Sequence, residues 1–269
     1  MNVQSELEVP KAGSGAAETA IAPAPRKGPD AAALSEFFGS LAHDLRSPLG
    51  VVSEALAELK SEFSAGLTDE HRLLVNLADR GVRRLGRIAD TVSLLAALDS
   101  GTFEIRPRPL DLFELLREAV AAASAIEPRR EVAVSCEIPE GACVASADAE
   151  RLSRAMVEIM INAVRHARRK ARLSVEIAPG EARVIIEDDG QGVAPAFRVN
   201  LFRRFMPRPS RSGLGMGLSI AHDVVAAHGG QITLEDSTLP AGRPGTTGAR
   251  FVITLPLQGA PSHERKQAT

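Results

Sequence analysis

The feature that most constrains this chain is an apolar series at Leu34, Phe38, Leu41, Leu45, Leu49, Val52, Leu56, Leu59 and Phe63. Its steps of 4, 3, 4, 4, 3, 4, 3 and 4 keep one narrow stripe on a single side of an α-helix. A strand would need period two, so the segment predicts a long coiled-coil-like helix. The doubled step of four, from Leu41 through Leu45 to Leu49, lies beside Pro48, whose missing N–H and ring clash predict a bend there.

A Gly66-containing turn follows, then a second periodic run through Leu74, Leu77, Leu85, Ile88, Val92 and Leu95, with Gly81 at the vacant stripe position, ending before Gly101. Two such runs predict an antiparallel hairpin. Such a hairpin exposes too much apolar stripe to be stable alone, and pairing two copies into a four-helix bundle buries it, so a homodimer is expected.

From Phe103 the texture changes to short strand-like runs among helices. Strands are expected over 131–138, 172–178, 183–187, 231–235 and 250–257, and helices over 112–125, 149–167 and 214–227. The runs do not strictly alternate, which favours helices layered on one mixed sheet over a doubly wound parallel sheet, hence an α+β fold. The resulting division is a disordered arm at 1–32, rich in Ala, Pro and Gly; the hairpin at 33–102; an α/β domain at 103–259; and a flexible tail at 260–269.

Composition narrows the partners. Across 269 residues the formal net charge is −2, so no global positive field draws the chain to nucleic acid or an anionic membrane. No run approaches the roughly 18 apolar residues that cross a bilayer, and the acidic start lacks a signal-like apolar region, so a cytoplasmic location without membrane insertion is expected. The only cysteines, Cys136 and Cys143, flank a Pro-Glu-Gly turn and are expected to be reduced.

Several residues could carry chemistry. His43 is two positions from both Leu41 and Leu45, about 200° round a helix from each, so it faces away from the stripe. Alone, it would be a solvated surface histidine. Glu158, Asn162 and His166 recur at i, i+4 and i+8, a polar line on an otherwise apolar helix. Asp188 and Asp189 end a strand run that enters the turn Gly190-Gln-Gly192. Arg203, Arg204, Arg208 and Arg211 form a patch without an acidic neighbour, suited to attracting phosphate. Gly213-Leu-Gly215-Met-Gly217 then leads into Leu218 and a helix, where bare backbone N–H groups and a helix N-terminus can cradle phosphate. Neither a Walker-type loop nor a dinucleotide fingerprint is present. The basic face Arg80, Arg83, Arg84 and Arg87 reads first as a solvated helix side, and second as a contact for a partner.

Taken together and in order, these motifs resemble those of two-component sensor histidine kinases. Ser40-Leu-Ala-His43-Asp44-Leu-Arg46-Ser47-Pro48-Leu49 resembles the phosphoacceptor motif. Glu158 to His166 resembles the N-box, Asp188 to Gly192 the adenine-binding glycine turn, Leu201-Phe-Arg-Arg-Phe205 the F-box, and Gly213 to Gly217 the final glycine box. The resemblance covers roughly residues 35 to 257. It implies a helical-hairpin dimerisation domain, a four-helix bundle as a dimer, followed by an α/β-sandwich ATP-binding domain of the histidine kinase (Bergerat) type. The implied activity is ATP-dependent phosphorylation of His43, with Asp44 as orienter and general base, and transfer onward to a response-regulator receiver aspartate. Implied nucleotide contacts are Asn162, Arg165, His166, Asp188, Gly190, Gly192, Arg208, Arg211, Gly213, Gly215, Gly217 and Leu218, with Glu158 and Asn162 holding Mg²⁺. Signals are expected through a separate sensor protein or the N-terminal arm. Two rivals remain, a dimeric phosphotransfer scaffold without turnover and an anti-sigma-type serine kinase sharing only the nucleotide fold. A DNA-binding regulator has no reading helix to support it.

Overall fold

In the computed structural model the described residues are 29–61, 66–129, 131–204, 215–240 and 246–257. Phe63, Phe205, Arg208, Arg211, Gly213 and Leu214 lie outside them.

Helix α1 (Pro29–Ser61) runs through Pro48, and α2 (Asp69–Ser100) packs antiparallel to it. Thr68 caps α2 by accepting the His71 N–H at 3.2 Å, and Gly101 ends it in the left-handed conformation at φ 74°. Arg46 bonds Asp90 at 2.9 Å and Lys60 bonds Asp79 at 2.6 Å, fixing the relative level of the two helices. The side of α1 that faces α2 is lined by Ala42 and Leu56, both buried, with Gly39 approaching Ala96. The predicted stripe is therefore only partly the intramolecular seam, with Leu56 and Leu95 buried and other members not. Leu41 and Leu45 keep 41% and 43% of their surface exposed, and Leu74, Leu77 and Leu85 of α2 are likewise uncovered. One chain closes the hairpin with Ala42, Leu56 and the approach of Gly39 to Ala96, and leaves Leu41, Leu45, Leu74, Leu77 and Leu85 uncovered.

The C-terminal half follows as β1 (Arg108–Asp111), α3 (Leu112–Ile126), β2 (Ala133–Glu137), β3 (Val144–Ala147), α4 (Ala149–His166), β4 (Lys170–Ala178), β5 (Glu181–Asp188), α5 (Pro195–Arg198), α6 (Gly217–Ala227), β6 (Gln231–Asp236) and β7 (Ala249–Pro256). Five strands form one mixed sheet in the order β2-β4-β5-β7-β6, parallel only between β2 and β4. Alternate residues of β4 (Ala171, Leu173, Val175), β5 (Ala182, Val184, Ile186) and β7 (Phe251, Ile253, Leu255) share one core with the apolar sides of α3, α4 and α6, giving the expected layer of helices on a sheet. Leu94 and Leu95 of α2 join that core, so the end of the stalk is built into the second domain.

The strand and helix positions agree with the sequence reading within a few residues. Three elements were not anticipated: the two-stranded antiparallel sheet β1–β3 and the single turn α5. Four-residue strands hold too little alternation to register as a period. Cys143 packs in the core, whereas Cys136 is exposed on β2, and both are free thiols.

Candidate functional site

Two cavities meet beside α4. The larger, about 1070 Å³, reaches from Asp188 and Gly192 past Asn162 and Leu218, with Val193, Ala194 and Phe251 among its walls. The smaller, about 330 Å³, lies between α2, α4 and the start of α6, and shares Asn162, Arg165, His166 and Leu218 with the first. The two cavities thus lie side by side between the end of β5 and the foot of α6.

Asp188 decides the deep end. It closes β5, is 0% exposed, and uses Oδ1 to accept N–H groups from Gly190 at 2.9 Å and Ala249 at 3.4 Å. Its other oxygen, Oδ2, has no hydrogen-bond partner among the described residues. A buried acceptor without a donor costs free energy unless a ligand supplies one. Burial, aided by the neighbouring Asp189 and Glu187 carboxylates, pushes the Asp188 carboxyl up to about 6 despite the two N–H groups. Asp189 next to it does a different job. It accepts backbone N–H groups of Arg168, Arg169 and Lys170 at 2.8–3.1 Å and so ties the α4–β4 turn to the end of β5. Burial opposes its ionisation, but these donors hold its carboxyl below the usual range. Of the two adjacent aspartates, only Asp188 has an oxygen to offer a ligand.

The glycines around it are required by backbone packing. A Cβ at Gly190 would stand 2.2 Å from the His166 carbonyl oxygen, and one at Gly192 (φ 69°) 2.1 Å from that of Thr247. Gly248, not singled out from sequence, is tighter still, 1.7 Å from the Asp188 carbonyl oxygen. Gly192 lines the large cavity, whereas Gly190 sits behind Asp188.

On α4 the buried side is Leu152, Ala155, Met156, Ile159, Ala163 and Val164, which turns Glu158, Asn162 and His166 outward toward the cavities. Asn162 and His166 line both, and Glu158 lines the smaller. Arg165 pairs with Glu127 at 2.9 Å. Among the described residues no side chain caps α6, and Gly215 (φ 68°), Gly217 and Leu218 at its start line the smaller cavity. A Cβ on Gly217 would meet Glu158 Oε2 at 2.4 Å, so a larger residue there would push the Glu158 carboxylate aside. Among the described residues no three His, Cys, Asp or Glu side chains cluster as a metal site.

The arginine patch is partly redirected. Arg204 is committed to Asp99 at the end of α2 and to Asp223 on α6, the latter at 2.6 Å, and so it ties the stalk to α6 instead of attracting phosphate. Sequence could not show this, because its partners are 105 and 19 positions away. Glu187 was also missed. Buried, it accepts from Arg172 at 2.6 Å and from Ser237 and Thr238, and is ionised despite burial because of them.

His43 projects from α1 with 83% of its side chain exposed, and its Nδ1 lies 3.4 Å from Asp44 Oδ1. The solvent-facing position expected from helical phase is the one observed.

A family model of the His Kinase A (phospho-acceptor) domain matches residues 33–101, and one of the histidine kinase-, DNA gyrase B- and HSP90-like ATPases matches residues 147–259. This chain belongs to the sensor histidine kinase family. It is 31% identical over 205 residues to the sensor protein IrlS of Burkholderia pseudomallei, covering 73% of this chain and 43% of IrlS. It is 28% identical over 233 residues to the sensor protein KdpD of Escherichia coli, covering 85% of this chain and 25% of KdpD. It thus spans less than half the length of these relatives. Among solved structures, full-length ShkA in complex with AMPPNP superposes with a TM-score of 0.62 at 26% identity, over 84% of this chain and 46% of that one. Acinetobacter baumannii AdeS shares the fold, with a TM-score of 0.53 at 16% identity over 81% of this chain and 98% of AdeS. No helix among the described residues is long and apolar enough to cross a membrane.

Proposed function

We propose that this chain is an ATP-dependent histidine autokinase that phosphorylates His43 and passes the phosphoryl group to a response-regulator aspartate. The observation that carries the reading is the unsatisfied Asp188 Oδ2 at the sealed end of a cavity that opens onto Asn162 and the bare start of α6. An adenine amino group is a donor of the right kind for that oxygen, and the triphosphate then runs toward the N–H groups of α6. Glu158 and Asn162 are too few to hold Mg²⁺ alone, and they suit an ion that takes its other ligands from phosphate oxygens and water.

At the stalk, Nδ1 of His43 faces Asp44, which leaves Nε2 and its lone pair free. Nε2 attacks the γ-phosphorus, the N–P bond forms, and the bond to the bridging oxygen breaks as ADP leaves with the electron pair. The Asp44 carboxylate stabilises the positive charge that develops on the ring and accepts its Nδ1 hydrogen bond. Residues 33–102 form the dimerising phosphotransfer unit and 103–259 the ATP-binding unit. The uncovered Leu41, Leu45, Leu74, Leu77 and Leu85 support a homodimer, in which the second copy closes a four-helix bundle.

The test is incubation of the chain with Mg²⁺ and ATP labelled at the γ-phosphate. The expected product carries acid-labile, base-stable label that is lost in His43→Ala, while that variant still binds nucleotide. Acid-stable label, or label persisting in the variant, indicates a serine kinase. An unlabelled wild type indicates a scaffold without turnover.

A further inference from the structure

The smaller cavity has a wall that the family motifs do not supply. Arg80, Arg84 and Arg87 of α2 line it, spaced i, i+4 and i+7 so that they share one side of the helix, opposite Gly217 and Asn162. Arg83, on the neighbouring side, is instead tied to Asp79 at 3.1 Å. The basic face that sequence presents as a solvated surface or a partner contact is therefore split, and most of it is turned inward toward the ATP-binding domain.

Charge in this cavity is out of balance. Arg165 is offset by Glu127, which leaves Glu158 facing three α2 arginines. No hydrogen bond or ion pair from Arg84 or Arg87 is found among the described residues, although Arg87 is only partly exposed. Burial works against the Arg87 charge and Glu158 supports it. Arg87, partly desolvated, and Arg84, exposed beside it, form no direct carboxylate pair among the described residues, and guanidinium groups so placed are strong anion ligands, phosphate above all.

Geometry supplies the anion. The two cavities share Asn162, Arg165, His166 and Leu218 as walls, so a nucleotide anchored by its base at Asp188 has its phosphates directed toward the second. Arg46 bonds Asp90 across the hairpin, which sets Arg87 about six residues, or about 9 Å, along the stalk from the level of His43.

We propose that Arg84 and Arg87 of the stalk bind the terminal phosphates of ATP held in the neighbouring domain, so that α2 is a wall of the nucleotide site and ATP itself fastens the two domains together. This rests on the ATP-binding reading above and adds to it a phosphate contact from the dimerisation hairpin. The two arginines are positioning residues that orient the γ-phosphate near the level of His43 and take up its charge.

The experiment is titration of the whole chain with ATP and AMP by calorimetry, in the wild type, in the Arg84→Ala/Arg87→Ala double variant and in the Arg84→Lys/Arg87→Lys variant. The alanine pair is expected to weaken ATP about tenfold, the loss of one or two charge-assisted phosphate contacts, and to change AMP by less than about twofold. Retained AMP affinity also reports a folded adenine site. The lysine pair is expected to restore most of the ATP affinity. Unchanged ATP affinity in the alanine pair overturns the proposal, as does equal weakening of ATP and AMP, which marks a structural role. If the wild type binds ATP and labels His43 while the double variant binds ATP equally well, only the stalk contact is lost. A wild type with no ATP affinity removes the nucleotide reading as well.

Discussion

Replacing Asp188 with Asn should stabilise the nucleotide-free protein and at the same time abolish its nucleotide binding. The carboxyl is fully buried and its pKa stands at about 6, against an ordinary 3.8. A carboxyl raised in the folded state contributes stability below its unfolded value, near pH 3.8, and that stability is lost as pH rises through about 6. The gap between about 6 and 3.8, at about 1.36 kcal/mol per pH unit, makes the buried charge cost about 3 kcal/mol at pH 7.5. Asn carries no charge, so Asp188→Asn should gain about 1–3 kcal/mol at pH 7.5 and almost nothing at pH 4, a rise of about 2–4 °C in melting temperature per kcal/mol. Orientation explains the functional loss. The Gly190 and Ala249 N–H groups claim the amide oxygen at the Oδ1 position, which turns the amide NH₂ into the cavity, donor against the adenine amino donor. Thermal melts across pH 4–8 with and without ATP are the assay. A gain that is the same at pH 4 and pH 7.5, or a variant that retains ATP-induced stabilisation, would refute the assignment of Asp188 as the charged adenine acceptor.

Gly192→Ala combines a positive φ with a Cβ 2.1 Å from the Thr247 carbonyl oxygen, and should destabilise the ATP-binding domain by more than about 2 kcal/mol, measured by urea unfolding. Leu41→Glu with Leu45→Glu removes the remaining exposed surface of two leucines in each of two chains, about 1 kcal/mol apiece. It should weaken the dimer about a thousandfold in sedimentation equilibrium while leaving nucleotide binding intact; a wild type that is monomeric at all concentrations would contradict the four-helix reading.

The helical stalk and the solvent-facing His43 were legible in the sequence because both are consequences of local period. A residue two positions from two stripe leucines must point away from them, whatever surrounds the helix. The sheet strands and α4 were equally legible, since alternation and amphipathicity are written in neighbouring residues. The choice of Asp188 over Asp189 came from the family resemblance, and its physical reason appears only once Arg168, Arg169 and Lys170 are seen to saturate the second carboxylate. Arg204 was misassigned because a run of arginines without an acidic neighbour in sequence says nothing about Asp99 and Asp223 in space.

What the sequence alone determined is therefore the set of elements, their exposed and buried sides, and the residue types that nucleotide chemistry needs. Which leucines close the hairpin and which stay uncovered, which carboxylate is left with an unsatisfied oxygen, and which arginines of α2 face the cavity were decided by tertiary structure. The physical reason is that hydrogen-bond satisfaction and charge balance are sums over everything packed nearby, and the terms of those sums come from segments far apart along the chain.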